Sequence, residues 1–343
     1  MTPSDLDAAF SPSSVAVIGP SARTGSPGRA VFENLLSGGF AGDIHPVNPR
    51  HRSVLGRRAI ASVGALDPMP PLAVVVSPAR TVPAAIDEFG AAGGRTAIVV
   101  SGGITDANGL RPRLLAAARR HGVRLLGPGS VGLLRPPIGL NASLAHRAAL
   151  PGRLALVSQS GAIVGAMIGW AAGRGVGFSH IVSLGEAADL CLADLIDHLA
   201  ADAEARAILL YLEGITDARR FMSAARAAAR IKPVIALKAG RHRDATADAV
   251  VGAALDRAGI LRIRDLEEMF DAAEILDHPV AADGDRLAVI ANGTGAGVLA
   301  ADAVADMGER LARLSPGTLA ALGRDLPAAN PIDLGADAAC STG

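Results

Sequence analysis

The chain has 343 residues and is 50% hydrophobic, long enough for two ordinary domains and part of a third, each with a sizeable core. Its 33 basic and 33 acidic residues cancel, leaving no field that would gather nucleic acid or an anionic membrane, so any anion must be held by local groups. Two cysteines, Cys191 and Cys340, exclude a disulfide framework and paired-cysteine zinc spacing, as expected of a chain kept in a reducing cytoplasm, and no metal site is expected.

In chain order, Met1 to Phe10 carries acidic residues and no apolar core, and no later apolar run approaches the roughly 20 residues that cross a bilayer. Short β-branched runs then alternate with alanine-rich stretches of helical period. Strands are predicted at Ser14–Gly19, Asp43–Asn48, Leu72–Ser77, Thr96–Ser101 and Arg124–Gly127, with helices at Arg29–Leu36, Val82–Ala92 and Leu110–Arg120 between them. Near-continuous apolar strands imply a parallel sheet covered on both faces. The stretch from Arg135 to Pro151, with paired prolines and an Asn-Ala-Ser, breaks the rhythm and reads as a connection between domains. A second α/β unit follows, with strands at Leu154–Ser158, Phe178–Ser183, Ala207–Leu212, Val234–Lys238 and Leu261–Ile263 and helices at Gly161–Arg174, Ala193–Ala200 and Asp217–Ala229. A third opens at Arg286–Gly293 and is too short to close a sheet alone. The expected division is a first domain at 1–134, a linker at 135–150, a second domain at 151–282 and an incomplete third α/β domain at 283–343.

The segment from Gly19 to Gly28 follows the first strand and opens a helix, the position where backbone N–H groups receive a phosphate. It is not Gly-x-Gly-x-x-Gly, and the second strand ends in Val47-Asn-Pro-Arg50 without the acidic residue that holds an adenine ribose, so NAD is disfavoured. Arg29, Arg50 and Arg52 are placed instead to meet a pyrophosphate or a phosphorylated ribose. An ordinary turn beside a solvated arginine rim is the competing reading of the same residues.

A series of short motifs spans nearly the whole chain: Val17-Ile-Gly-Pro-Ser21, Pro46-Val-Asn-Pro49, Ser77-Pro78, Ser101-Gly-Gly103, Gly127-Pro-Gly-Ser130, Leu140-Asn-Ala-Ser143, Val157-Ser-Gln-Ser-Gly161, Tyr211-Leu-Glu-Gly214, Lys238-Ala-Gly240 and Asn330-Pro-Ile-Asp333. In this order they resemble the NDP-forming acyl-CoA synthetases, relatives of succinyl-CoA synthetase. The resemblance implies an α/β fold with a Rossmann-like CoA-binding domain, a flavodoxin-like, succinyl-CoA synthetase-like domain and the start of a third α/β domain. It further implies that Gly19, Ser21, Gly25, Asn48, Pro49, Arg50, Ser77 and Pro78 bind coenzyme A. Ser158, Gln159, Ser160 and Gly161 would hold a phosphate at a helix start, where hydroxyls and unpaired N–H groups favour an anion. Glu213 would position a phosphoryl-accepting histidine. Without the family, Ser160 reads as a plain helix cap and Glu213 as a strand-end carboxylate capping a nearby helix.

The pattern fails in specific places. The family's Ser-His-Thr-Gly loop, whose histidine accepts the phosphoryl group, is absent between Lys238 and Ala249, where only His242 remains, flanked by Arg241 and Arg243. Gly129 stands where Asn is usual, and Glu186-Ala187 where Asn-Glu is usual. ATP or ADP and magnesium are therefore expected only through an ATP-grasp module outside this sequence, supplied by a partner subunit, in an oligomer. An alternative is the synthetase-like region of Pat-type protein lysine acetyltransferases, which lacks the acceptor histidine and senses CoA beside a GNAT domain. No GNAT domain is visible in the sequence.

Overall fold

The computed structural model describes residues 4–277, 284–322 and 329–335. The described residues up to Asp277 fall into one compact unit and those from Gly284 onward into another. The first unit opens with helix α1 (Ser4–Phe10), where the sequence suggested no element. Next come β1 (Ser14–Ile18), α2 (Pro27–Ser37), β2 (Asp43–Val47), a short hairpin β3 (Ser53–Val54) and β4 (Arg57–Arg58), β5 (Leu72–Val75), α3 (Val82–Ala91), β6 (Thr96–Val99), α4 (Leu110–His121) and β7 (Arg124–Leu126). Strands β2, β1, β5, β6 and β7 lie side by side in that order, all parallel. Every residue of β5 and β6 is buried, as a sheet covered on both faces requires. Helix α2 starts where Ser26 accepts the Arg29 N–H and Pro27 occupies the first turn, and it buries Gly28, Val31, Phe32 and Leu35, one face at helical spacing. Strands β5 and β6 stop two residues sooner than predicted, so Ser77 and Ser101 lie in loops beyond the carboxyl edge.

The stretch expected to connect the two domains, 135–150, carries regular structure over its first part. Residues β8 (Gly132–Arg135) and β9 (Leu140–Ser143) form an antiparallel hairpin, and β8 also pairs antiparallel with a strand of the second sheet. The paired prolines sit in a 3-10 turn at Pro136–Ile138 closed by Gly139 at φ 70°, so they mark a tight hairpin turn. All four residues of β9 are buried.

The rest of this unit is β10 (Pro151–Ser158), α5 (Gly161–Ala172), β11 (Phe178–Ser183), α6 (Leu192–Ala201), β12 (Ala207–Leu212), α7 (Ala218–Ala229), β13 (Val234–Lys238), α8 (Ala245–Ala258), β14 (Leu261–Ile263) and α9 (Leu266–Asp277). The second sheet runs β14-β13-β12-β10-β11-β8-β9, with the first five strands parallel. One apolar cluster is continuous across both sheets, joining Val15, Phe32 and Leu72 to Leu133, Leu140, Val157, Val182 and Leu210. Asn34 of α2 fastens the hairpin from outside, donating to Ser143 O at 2.8 Å and Ala145 O at 2.9 Å. The first two predicted domains therefore share a core.

In the second unit β15 (Ile290–Ala291) pairs parallel with β16 (Ile332–Asp333), with α10 (Thr294–Asp306) and α11 (Pro316–Leu322) between them. Within Arg286–Gly293, where the third unit was expected to open, the strand is two residues long, and most described side chains of this unit are exposed. Cys340 lies outside the described residues. Among the described residues no helix is long and apolar enough to cross a membrane.

Candidate functional site

In the first sheet β1 has β2 on one side and β5 on the other, so the loops leaving β1 and β5 diverge and open a crevice at the carboxyl edge. A cavity of about 880 Å³ fills it, and Gly19, Ser21, Asn48, Pro49, Arg50, Ser77 and Pro78 all line it. Gly25 belongs to the same loop, at φ 74°, but is not among the lining residues. Gly19 has φ 87°, and a Cβ there would lie 2.7 Å from Ser77 Cα, so the two loops touch only because this residue has no side chain.

Asn48 acts on the protein itself. Its Nδ2 donates to Pro20 O at 2.8 Å and its Oδ1 accepts the Arg50 N–H at 2.8 Å, clamping the loop after β2 to the loop after β1. Ser101 Oγ donates to Ser77 O at 2.6 Å, holding the loop after β5 to the next one along the sheet. Ser21 Oγ accepts the Arg23 N–H at 3.1 Å.

The arginines need revision. Arg29 is turned onto its own helix, with Nε on Glu33 and Nη1 on Ala22 O, both at 2.8 Å, and neither Arg29 nor Arg52 lines the cavity. Arg23, Arg50 and Arg80 do, against one lining carboxylate, Glu88, which already accepts the Gly64 N–H. Sequence reasoning missed Arg80; its place two residues after Ser77-Pro78, in the turn leaving the third strand in the sheet, was the available signal. Arg23 was overlooked inside a loop read for its glycines. Apolar side chains including Val47, Val63, Val76, Ala84 and Ala85 complete the lining. The cavity therefore combines guanidinium groups and backbone donors with an apolar wall, a surface suited to a ligand that carries phosphates on one part and a flat or aliphatic body on another.

The second sheet repeats the arrangement at β10, which has β11 on one side and β12 on the other. The residues expected to hold phosphate there divide into two pairs. Ser158 is fully buried, its Oγ donating to Ser160 O at 2.8 Å and accepting the Ser160 N–H at 3.0 Å. Gln159 Oε1 accepts the N–H groups of Glu213 (2.6 Å) and Gly214 (3.1 Å), while its Nε2 donates to Gly214 O at 2.9 Å. These two side chains build the loops, and Gln159 Nε2 keeps a second N–H beyond the one donated to Gly214 O. Ser160 and Gly161 remain: Ser160 occupies the cap position of α5 with no side-chain capping bond, so the plain-cap reading fails for its hydroxyl. The first-turn N–H groups of α5 have no intrahelical partners. Replacing Gln159 by leucine should lower stability by about 2 kcal/mol, because it leaves the Glu213 and Gly214 N–H groups without an acceptor. Urea unfolding reads this directly, and faster proteolysis between residues 212 and 217 should accompany it.

Glu213 is exposed and lines a smaller cavity of about 230 Å³ with Lys238, Arg243, Asp244 and Asp248. Arg262 donates to both oxygens of Asp248 at 2.7 Å and holds that carboxyl below the usual carboxylate range. Asp244 caps α8 by accepting the Ala247 N–H at 2.9 Å, so β13 reaches α8 through the turn at residues 239–243 alone. Glu213 caps no helix; α7 is capped by Asp217, which accepts the Arg220 N–H at 3.0 Å. His242 is exposed and lines neither cavity. Glu186, the departure in the loop after β11, forms an ion pair with Arg111 of α4, joining the two sheets' loops.

Two family profiles match the chain: a CoA binding domain over residues 13–136 and a succinyl-CoA ligase like flavodoxin domain over residues 151–276. The chain is similar to the acetate–CoA ligase [ADP-forming] I subunit alpha of Pyrococcus furiosus, 38% identical over 89% of this chain and 71% of that one. It is also similar to the acetate–CoA ligase [ADP-forming] I of Archaeoglobus fulgidus, 36% identical over 97% of this chain but 51% of that one. Among solved structures, the dinucleotide forming acetyl-coenzyme A synthetase 1 of Ca. Korarchaeum cryptofilum superposes with a TM-score of 0.88 at 34% identity, covering 96% of this chain and 75% of its own. That protein has also been solved in complex with phosphate and ADP. None of these relatives is an acetyltransferase, and the acetyltransferase-linked alternative gains nothing from them.

Proposed function

Because the chain belongs to the family of ADP-forming acetate–CoA ligases, we propose that it binds coenzyme A, free or as a small thioester, in the cavity at the carboxyl edge of its first sheet. The observation that carries this reading is the lining: Arg23, Arg50 and Arg80 gather around a glycine turn at a topological switch point, in a chain with no net charge. The diphosphate and the ribose phosphate sit against these guanidinium groups and the backbone N–H groups of the loop after β1, and the base lies on the apolar wall. Gly19, Ser21, Asn48, Pro49, Arg50, Ser77 and Pro78 are the residues assigned to this site, with Asn48 acting as the clamp that shapes it.

At the start of α5, Ser160 and the Gly161 N–H are the groups assigned to an inorganic or acyl-bound phosphate. Glu213 lies on the adjacent loop, as a residue that would orient an incoming imidazole. In the whole reaction of the family, acyl-CoA, ADP and phosphate give the acid, CoA and ATP. We assign to this chain the CoA-binding part, and the nucleotide with its magnesium to a partner module; the subunit name of the Pyrococcus relative supports such a partner. The chain spans about half the length of single-chain relatives such as the Archaeoglobus ligase.

Each charge-assisted contact is worth about 1.5 kcal/mol, so Arg50→Ala and Arg80→Ala should each weaken CoA binding roughly 10-fold. The Arg23/Arg50/Arg80 triple alanine variant should lose it by more than about 100-fold while keeping its melting temperature. Fluorescence titration with a CoA analogue checks this, and wild-type affinity in the triple variant refutes the site. One observation favours a further reading, a CoA sensor without phosphoryl transfer: the 239–243 turn has no swinging segment and only an exposed His242. With a nucleotide-binding subunit from a relative, ATP and magnesium, no acid-labile label is expected on this chain. Label on His242 would restore the relay.

A further inference from the structure

A second constellation lies away from both cavities, toward the amino-terminal edge of the second sheet. His180 lies in the first half of β11, His198 in the last turn of α6, and Asp202 caps the end of that helix. One ligating atom from each lies within 4.8 Å of the others. The His180 side chain is 0% exposed and that of Asp202 15%.

The protons around His180 can be assigned. The Ser179 hydroxyl, also buried, donates its single hydrogen to Leu154 O at 3.2 Å, so it receives a hydrogen from His180 Nδ1, 3.1 Å away. In that arrangement Nδ1 carries the ring proton and Nε2 presents a bare lone pair. That nitrogen has no hydrogen-bond partner and faces Asp202 Oδ2 at 3.3 Å, one acceptor aimed at another in a water-poor interior. His198 Nε2 is likewise buried without a partner.

We propose that His180, His198 and Asp202 hold one divalent first-row transition cation of the zinc type. Two neutral imidazoles and a carboxylate are a ligand set for such an ion. A separation of 3.3 Å between Nε2 and Oδ2 is close to the edge of a tetrahedron with bonds of about 2.0–2.1 Å, roughly 3.3–3.4 Å. The Ser179 contact fixes the His180 tautomer from the second layer, as metal-bound imidazoles require. Of the neighbouring cations, Arg135 donates to Glu204, Phe10 O and Ser11 Oγ and keeps its Nη2 3.8 Å from Asp202 Oδ2, a carboxylate it would share with the ion, while Lys232 donates to the carbonyls of Leu199, Asp202 and Ala205. Asp7 adds a carboxylate 3.9 Å from His198 Nδ1. Phe10 packs on both rings, with centroids 5.1 Å from His180 and 4.5 Å from His198.

The test uses the full chain, stripped with a chelator and titrated with Co²⁺ as a spectroscopic stand-in for Zn²⁺. The expected result is visible d–d absorption of a tetrahedral site that saturates at one equivalent and is displaced by Zn²⁺. Zn²⁺ should also raise the melting temperature. Asp202→Asn and His198→Gln should each weaken Co²⁺ binding at least 10-fold; if one fails to fold, the other decides. No absorption band, or undiminished binding in whichever variant folds, overturns the site and leaves a water bridging His180 and Asp202.

Discussion

Replacing Gly19 by valine should cost at least about 100-fold in CoA affinity, or about 2.7 kcal/mol. The Cβ would stand 2.7 Å from Ser77 Cα, a backbone atom that cannot swing aside, so the loops after β1 and β5 must part. Parting them strains the hydrogen bond from Val76 N to Ile18 O at 2.9 Å, at the point where the two loops leave the sheet, and moves the N–H groups assigned to the diphosphate. The left-handed backbone adds about 1–2 kcal/mol against any side chain. Gly25 is the control: it shares the left-handed backbone at φ 74°, yet nothing lies within 4 Å of its missing Cβ. Gly25→Ala should therefore lower the melting temperature slightly and weaken binding less than 10-fold. Equal losses at the two positions would show that backbone conformation, and not close approach of the two loops, shapes the site.

The largest loss of stability is expected for Asp194→Ala. The Asp194 side chain is fully buried at the start of α6. It accepts the Cys191 N–H at 2.9 Å and Arg220 Nη2 at 2.7 Å, and lies 3.8 Å from Arg124 Nη2 of the first sheet. Removing it takes away a helix cap and leaves Arg124, only 15% exposed, with less compensating charge. Because Arg220 is half-exposed and reaches water on its own, the loss is about 3 kcal/mol and not the full value for a closed buried pair. In a unit of this size that lowers the melting temperature by roughly 6–12 °C. Asp194→Asn keeps an acceptor for the Cys191 N–H and should lose less than half as much. Thermal unfolding of the two variants side by side separates the cap from the charge.

Strand periodicity was legible where a strand is buried on both faces. Phe178–Ser183, Ala207–Leu212 and Val234–Lys238 fall where the apolar runs place them, and so does the more exposed edge strand Leu261–Ile263. The hairpin at 132–143 was not legible, because Pro136-Pro137 carries the same local signal in a tight turn as in a linker. Only its pairing with β11, a contact distant in sequence, distinguishes the two. Helix α1 was missed because its apolar face, Leu6, Ala9 and Phe10, is a single short stripe that gains its stability from tertiary packing.

At the site, the glycine and Asn-Pro motifs located the cavity, since they specify backbone turns that local sequence encodes. Which arginines face it was not encoded locally. Arg29 follows its helix register onto Glu33, while Arg80 enters from a loop that the sheet order alone brings across. Gln159 and Ser158 matched a phosphate motif, yet they hold loops together, a distinction visible only once Glu213 and Gly214 are seen beside them.

The most direct measurement is calorimetric titration of the purified, unaltered chain with coenzyme A at low salt. Saturable binding at one CoA per chain, weaker for the 3′-dephospho form and weakened further by added salt, is the expected result. Absence of any heat or competition at millimolar CoA under those conditions would contradict the assignment of the glycine-turn cavity.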